Sequence, residues 1–182
     1  MPEQRTFIAL TIPDHVIQRL GGLQTGLPDV RWTPPDQMHI TLKFLGEVSD
    51  DSLEDLSSLL EEMRFTAPGI RIAGLGYFAQ RKSPPVLWAG LEPEDPIQEI
   101  HRVIESSTGK LGFAKEKRNY RPHITLGRLR RSNPRRLQEY LELHHLFNTE
   151  DFFCQELVLF TSRLTPDGAL HEPVVALDLS DA

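Results

Sequence analysis

Residues 38–48 read MHITLKFLGEV and residues 121–129 read RPHITLGRL. Each is a short apolar run bounded by turn-forming residues, the pattern of a β-strand. Each carries the same tetrapeptide, His39-Ile40-Thr41-Leu42 and His123-Ile124-Thr125-Leu126. With 7 histidines and 11 threonines in the chain, a His-x-Thr triplet is expected roughly 0.4 times by chance. On a strand, side chains i and i+2 share a face. Ile40 with Leu42, and Ile124 with Leu126, therefore suit a buried face, while His39 with Thr41 and His123 with Thr125 share the opposite one. The same alternation sends Lys43 to the histidine face and Phe44 to the core beside Leu42. If the two halves of the chain face each other, two imidazoles and two hydroxyls converge on one cleft.

Outward from these strands the elements repeat loosely. RTFIALTI (5–12) reads as a strand, and Pro13-Asp14 open a helix with Val16, Ile17, Leu20 and Leu23 on one face. Gly21, Gly22, Gly26 and Pro28 close it. VRWTPPDQ is a strand end and a turn around Pro34-Pro35. A second helix begins at Ser52 as N-cap, with Glu54 and Asp55 in its first turn and Leu53, Leu56, Leu59, Leu60 and Met63 as its apolar stripe. IRIAGLGYF and PPVLWAGLE form an antiparallel hairpin across the basic loop QRKSP. PIQEIHRVIESSTGK is a third helix, with Pro96 in its first turn and Gly109 as its stop. NPRRLQEYLEL is a helix capped by Asn133, and ELVLFTSRL and PVVALDL are closing strands. This order predicts an α+β fold with largely antiparallel sheets. No linker or low-complexity run divides the chain, so residues 1–182 are expected to form a single domain.

Composition narrows the function classes. The chain has 182 residues, 39% hydrophobic and 25% charged, as in a soluble globular protein. No apolar run reaches the roughly 20 residues of a membrane helix, and MPEQRTFIAL lacks the features of a secretory signal. A single cysteine, Cys154, reads as a packing residue and points to a reducing cytoplasm. The net charge of −6 argues against a protein that coats long nucleic acid by charge alone. Yet Lys115, Lys117, Arg118, Arg121, Arg128, Arg130, Arg131, Arg135 and Arg136 surround His123 with only Glu116 among them. A solvated basic face explains such a run as readily as a binding surface does, until His123 is placed in its middle.

The converging set suits phosphodiester hydrolysis. A neutral imidazole takes a proton from water while a protonated one gives a proton to the departing oxygen, and histidine populates both forms near neutral pH. Threonine hydroxyls donate to non-bridging phosphoryl oxygens. Arg128 adds a charge-assisted contact, and Lys43 meets phosphate from the same face. No metal or other cofactor is required. Taken singly, each His-x-Thr is better explained as a strand cap and a sheet position; two copies with apolar partners in register reverse that preference.

In these blocks the chain resembles the 2H phosphoesterases, specifically the bacterial and archaeal RNA 2′,3′-cyclic phosphodiesterases also called 2′-5′ RNA ligases. The likeness runs from about Arg5 to Leu177 and includes RTFIALTIP, VRWTPPDQMHITLKFLGEV, RPHITLGRL and LFTSRLTPDGALHEPV. The resemblance implies a bilobal fold with two largely antiparallel sheets around a central cleft and outer helices. It implies catalytic His39 and His123, with Thr41, Thr125 and Arg128 on the substrate. The reaction implied is opening of a cyclic phosphate on an RNA end to a 2′-phosphomonoester. His123 is assigned as base and His39 as acid, with the reverse order open. Ligation would be reversal of this chemistry, since there is no Lys-x-Asp-Gly for adenylation. The expected partner is RNA bearing 2′,3′-cyclic phosphate ends, with no membrane association and a monomeric state.

Other residues carry less. His144-His145 has no third ligand at metal-binding spacing, and His15, His101 and His171 read as isolated surface histidines. Trp32, Phe78, Tyr120 and Trp88 are candidates to stack on a base, with core packing the safer reading for most. Two rival functions remain: an RNA-end or phosphate-binding module without turnover, and a 2H hydrolase of a non-RNA cyclic nucleotide.

Overall fold

The computed structural model describes residues 3–79, 84–131, 133–166 and 168–179; the basic loop expected over QRKSP lies largely outside them. The strands are β1 (Gln4–Leu10), β2 (Val30–Trp32), β3 (Ile40–Val48), β4 (Gly69–Phe78), β5 (Val86–Glu92), β6 (His123–Leu129), β7 (Phe152–Phe153), β8 (Glu156–Thr165) and β9 (Gly168–Asp178). The helices are α1 (Asp14–Gly21), α2 (Asp50–Glu61), α3 (Asp95–Lys110) and α4 (Pro134–Leu143). Every strand pair is antiparallel, in the order β7-β4-β5-β6-β3-β1-β8-β9, with β2 added alongside β6. The α+β expectation is met.

The sheet consists of two halves that scarcely touch. Long ladders hold β3-β1-β8-β9 together on one side and β4-β5-β6 on the other, but β3 and β6 share a single registered pair, Ile40 opposite Ile124. Both isoleucines are fully buried, within a core that includes Ile8 and Leu10 of β1, Leu56 and Leu60 of α2, and Ile97 and Ile104 of α3. Burying each such side chain is worth about 1.5–3 kcal/mol, so the seam is held by packing more than by backbone hydrogen bonds.

Two helix boundaries differ from the sequence expectation. The N-cap of α2 is Ser49 rather than Ser52; the Ser49 hydroxyl accepts from the Ser52 N–H at 3.4 Å, and Asp50 and Asp51 occupy the first turn. Ser49 is the last residue with extended backbone, and that conformation aims a capping oxygen at the free N–H groups. Helix α3 passes through Gly109 and ends where Gly112 adopts φ +91°, a conformation open to glycine at no steric cost. The Asn133 cap of α4 is present as expected, accepting from the Arg136 N–H. Among the described residues no helix is long and apolar enough to cross a membrane.

Candidate active site

The Ile40–Ile124 pair fixes the relation between the two motifs. The antiparallel direction of this single pair puts His39 on the Thr125 side of it and Thr41 on the His123 side. The motifs are thus related by a local twofold axis through the seam. With the isoleucines on the core face, the histidines and threonines take the other face, and all four are half-buried. Residues on the diagonal of such a pair lie about 7–8 Å apart, with their Cβ atoms somewhat closer, a separation that admits one phosphoryl group between two imidazoles. A charge on His123 is felt at His39.

The twofold extends to the way each ring is held. His39 Nδ1 lies 2.7 Å from the Gln37 carbonyl, and His123 Nδ1 lies 2.8 Å from the Arg121 carbonyl. A carbonyl only accepts, so Nδ1 carries the hydrogen in both rings and Nε2 is left as an acceptor without a hydrogen bond among the described residues. Each ring rests on a phenylalanine: His39 stacks on Phe7 at 5.0 Å, and His123 meets Phe78 edge-on at 4.9 Å. Gln37 is itself anchored, its side-chain amide donating to the Ala169 carbonyl of β9. Burial pushes the His39 pKa down to about 4, partly opposed by the Gln37 carbonyl and reinforced by His171 and His123. Burial also lowers His123, with Arg121 and Arg128 acting in the same direction. Among the described residues neither Thr41 nor Thr125 uses its hydroxyl in a hydrogen bond within the protein.

Beyond the motifs, strict alternation fails, and for one reason in both halves. Ile8 pairs with Lys43 and Ala9 with Thr41, so Leu42 is an extra residue in β3. Leu87 pairs with Gly127 and Trp88 with Thr125, so Leu126 is an extra residue in β6. Each is a β-bulge at the fourth position of His-Ile-Thr-Leu, and a bulge reverses which residues face the cleft. Lys43 is therefore not on the cleft face. Its side chain is 2% exposed, with Nζ 2.5 Å from Glu105 Oε1 on α3 and 2.9 Å from the Ala114 carbonyl. Phe44, expected in the core, is instead 72% exposed, 6.0 Å from Phe7. Arg128 gains from the same reversal: it is exposed on β6, and its charge reaches His123.

His171, expected alone on the surface, is brought by β9 to within 5.7 Å of His39 and 4.9 Å of Phe7, with Nδ1 3.1 Å from the Ser162 hydroxyl. Its approach depends on the β9-β8-β1-β3 pairing, which no local pattern announces. His101 is likewise not isolated: its Nδ1 is 2.8 Å from the Leu42 carbonyl at the bulge, and it stacks at 3.8 Å on Tyr120, whose hydroxyl donates to the Thr41 carbonyl. Tyr120 is thus a packing residue. So is Trp88, buried under the Arg121 guanidinium at 4.9 Å, and Trp32, which packs toward Tyr140. His144 packs on Tyr140 and His145 binds the Glu142 carbonyl. In the basic run, Arg118 pairs with Glu116 and Arg135 with Glu139; Arg121, Arg128, Arg130, Arg131 and Arg136 form no ion pair among the described residues.

This geometry has known counterparts. Residues 12–164 match the model of the 2′-5′ RNA ligase superfamily. The chain belongs to that family. Similar proteins include one of Archaeoglobus fulgidus named RNA 2′,3′-cyclic phosphodiesterase. It is 30% identical over an alignment of 174 positions that covers 92% of this chain and 96% of the relative. A Methanothermobacter thermautotrophicus protein of the same name is 31% identical over an alignment of 176 positions that covers 92% of this chain and 94% of the relative. Among solved structures, TT0787 of Thermus thermophilus superposes with a TM-score of 0.80 at 24% identity, covering 97% of this chain and 98% of that one. E. coli LigT complexed with 3′-AMP gives 0.78 at 21% identity, covering 98% and 99%. The superfamily fold expected from the sequence is therefore the fold of this chain.

Proposed function

We propose that the protein is an RNA 2′,3′-cyclic phosphodiesterase that opens cyclic phosphate ends to 2′-phosphomonoesters. The observation that carries this reading is the pair of imidazoles on either side of the Ile40–Ile124 seam, each held at Nδ1 by the carbonyl two residues before it, with neither Nε2 nor the hydroxyls of Thr41 and Thr125 hydrogen-bonded among the described residues. A module that merely held phosphate would gain nothing from bracing both histidines alike. The names of the relatives that span most of the chain support the same reaction.

In the reaction, water attacks phosphorus in line with the P–O3′ bond. One Nε2 takes the water proton, the P–O3′ bond breaks, and the other Nε2 gives its proton to O3′. Thr41, Thr125 and Arg128 stabilise the charge on the non-bridging oxygens. Burial disfavours the charged form of both histidines in the free protein, and a bound phosphate anion favours it again, so the acid is charged in the complex with substrate. Burial, which pushes His39 down to about 4, argues for that ring as the base, whereas Arg121 and Arg128 beside His123 disfavour a charge there. We assign His123 as base and His39 as acid, and replacing O3′ by sulfur decides between the two orders.

The test is release of phosphomonoester from 2′,3′-cyclic AMP by His39→Ala and His123→Ala at matched folding. Each imidazole contributes about 10²–10⁴-fold; near-normal turnover by either variant overturns the mechanism. A substrate with sulfur in place of O3′ needs no acid, so it restores turnover to the variant lacking the acid. Rescue of His123→Ala rather than His39→Ala reverses the assigned roles.

A further inference from the structure

The twofold relation that builds the site also leaves a choice open. A 2′,3′-cyclic phosphate contains two ester bonds to one phosphorus, P–O2′ and P–O3′. Two imidazoles braced alike and related by an axis through Ile40 and Ile124 offer a base and an acid to either bond. Selection between them has to come from a place where the two halves differ.

The bulges identify that place. Past the extra residues Leu42 and Leu126, the first side chains returned to the cleft face are Phe44 and Arg128. They are equivalent in position and opposite in chemistry. Phe44 is 72% exposed although its neighbour Phe7 is 4% exposed, and Phe44, Phe7 and His39 form an aromatic series with spacings of 6.0 and 5.0 Å. On the His123 side stand the cations Arg128 and Arg121, neither of them ion-paired among the described residues. A cyclic nucleotide presents one flat apolar part, its base, and one charged part, its phosphates. An exposed phenyl face accepts any base by stacking, and guanidinium groups accept phosphate.

We infer that Phe44 is a specificity-determining residue: the base stacks on it, opposite Arg128, and this contact sets which way round the ribose lies between the histidines and confines cleavage to one of the two P–O bonds. The inference rests on the phosphodiesterase reading. In the selected orientation water adds to phosphorus, P–O3′ breaks, and O3′ receives the acid's proton. In the reversed orientation the same atoms move, but P–O2′ breaks, O2′ receives the proton, and the product is the 3′-phosphomonoester.

The experiment follows 2′-AMP and 3′-AMP separately during hydrolysis of 2′,3′-cyclic AMP by the wild type, Phe44→Ala and Phe44→Tyr. Phe44 is exposed, so all three are expected to fold alike, which circular dichroism checks. The wild type should release 2′-AMP. Phe44→Ala should lose about tenfold in kcat/KM, as removal of a stacking side chain does, and release 3′-AMP as a measurable fraction. Phe44→Tyr should restore both rate and selectivity. A Phe44→Ala product as pure as the wild type's overturns the inference and leaves the phosphodiesterase reading intact. A folded wild type that opens no cyclic phosphate sinks that reading, and this inference with it.

Discussion

His39 carries the largest consequence at the scale of single residues. Its pKa is about 4 in the folded protein, against 6.5 for an ordinary histidine. The unfolded chain thus binds a proton that the folded one refuses, so stability is complete above about pH 6.5 and declines as pH falls toward about 4. The burial of His123 and His171 acts in the same sense. His39 alone accounts for at most about 3 kcal/mol of this decline. Urea midpoints measured across that range should fall steeply for the wild type and less steeply for His39→Gln. On the proposed mechanism the threonines act on charge in the transition state instead. Thr41→Val or Thr125→Val should lower kcat on the order of 10²-fold with little change in unfolding midpoint, and Thr→Ser should recover most of the loss.

The informative elements are the two bulged strands. Within His-Ile-Thr, period-two alternation holds, which is why both histidines, both threonines and their apolar partners are legible in the sequence. A bulge leaves no local signature in a run such as LKFLG, so alternation assigns Lys43 and Phe44 to each other's faces. Arg128 is legible through its nearness to His123 and through the family resemblance, and it joins the histidine face because of the bulge. His171 escapes sequence reasoning because its approach to His39 is a product of strand order. The misplaced lysine has a structural task. Its pairing with Glu105 lies beneath the segment that begins the basic run, and the other Glu105 oxygen accepts from the Glu116 N–H. Glu105→Ala leaves a buried ammonium without its counter-charge and should cost about 3–5 kcal/mol in denaturant unfolding. The double variant Lys43→Met/Glu105→Leu should recover most of that, because it removes both charges together.

Across the whole molecule, a net charge of −6 coexists with five arginines near His123 or α4 that lack carboxylate partners among the described residues. Long-range repulsion and local attraction then act on the same polyanion, and salt weakens both, the exposed arginines most directly. Activity on an oligonucleotide ending in a cyclic phosphate should fall more steeply with ionic strength than activity on 2′,3′-cyclic AMP. Equal slopes would mean that the arginines beyond Arg128 do not meet the RNA chain. The seam between the half-sheets sets the remaining dimension. Because one residue pair joins β3 to β6, the gap that a phosphate must fit on the proposed mechanism is gauged by the two buried isoleucines at the seam. Shaving Ile40 or Ile124 to valine removes a single methylene from that spacer, so catalysis should register a change in width well before the fold begins to loosen.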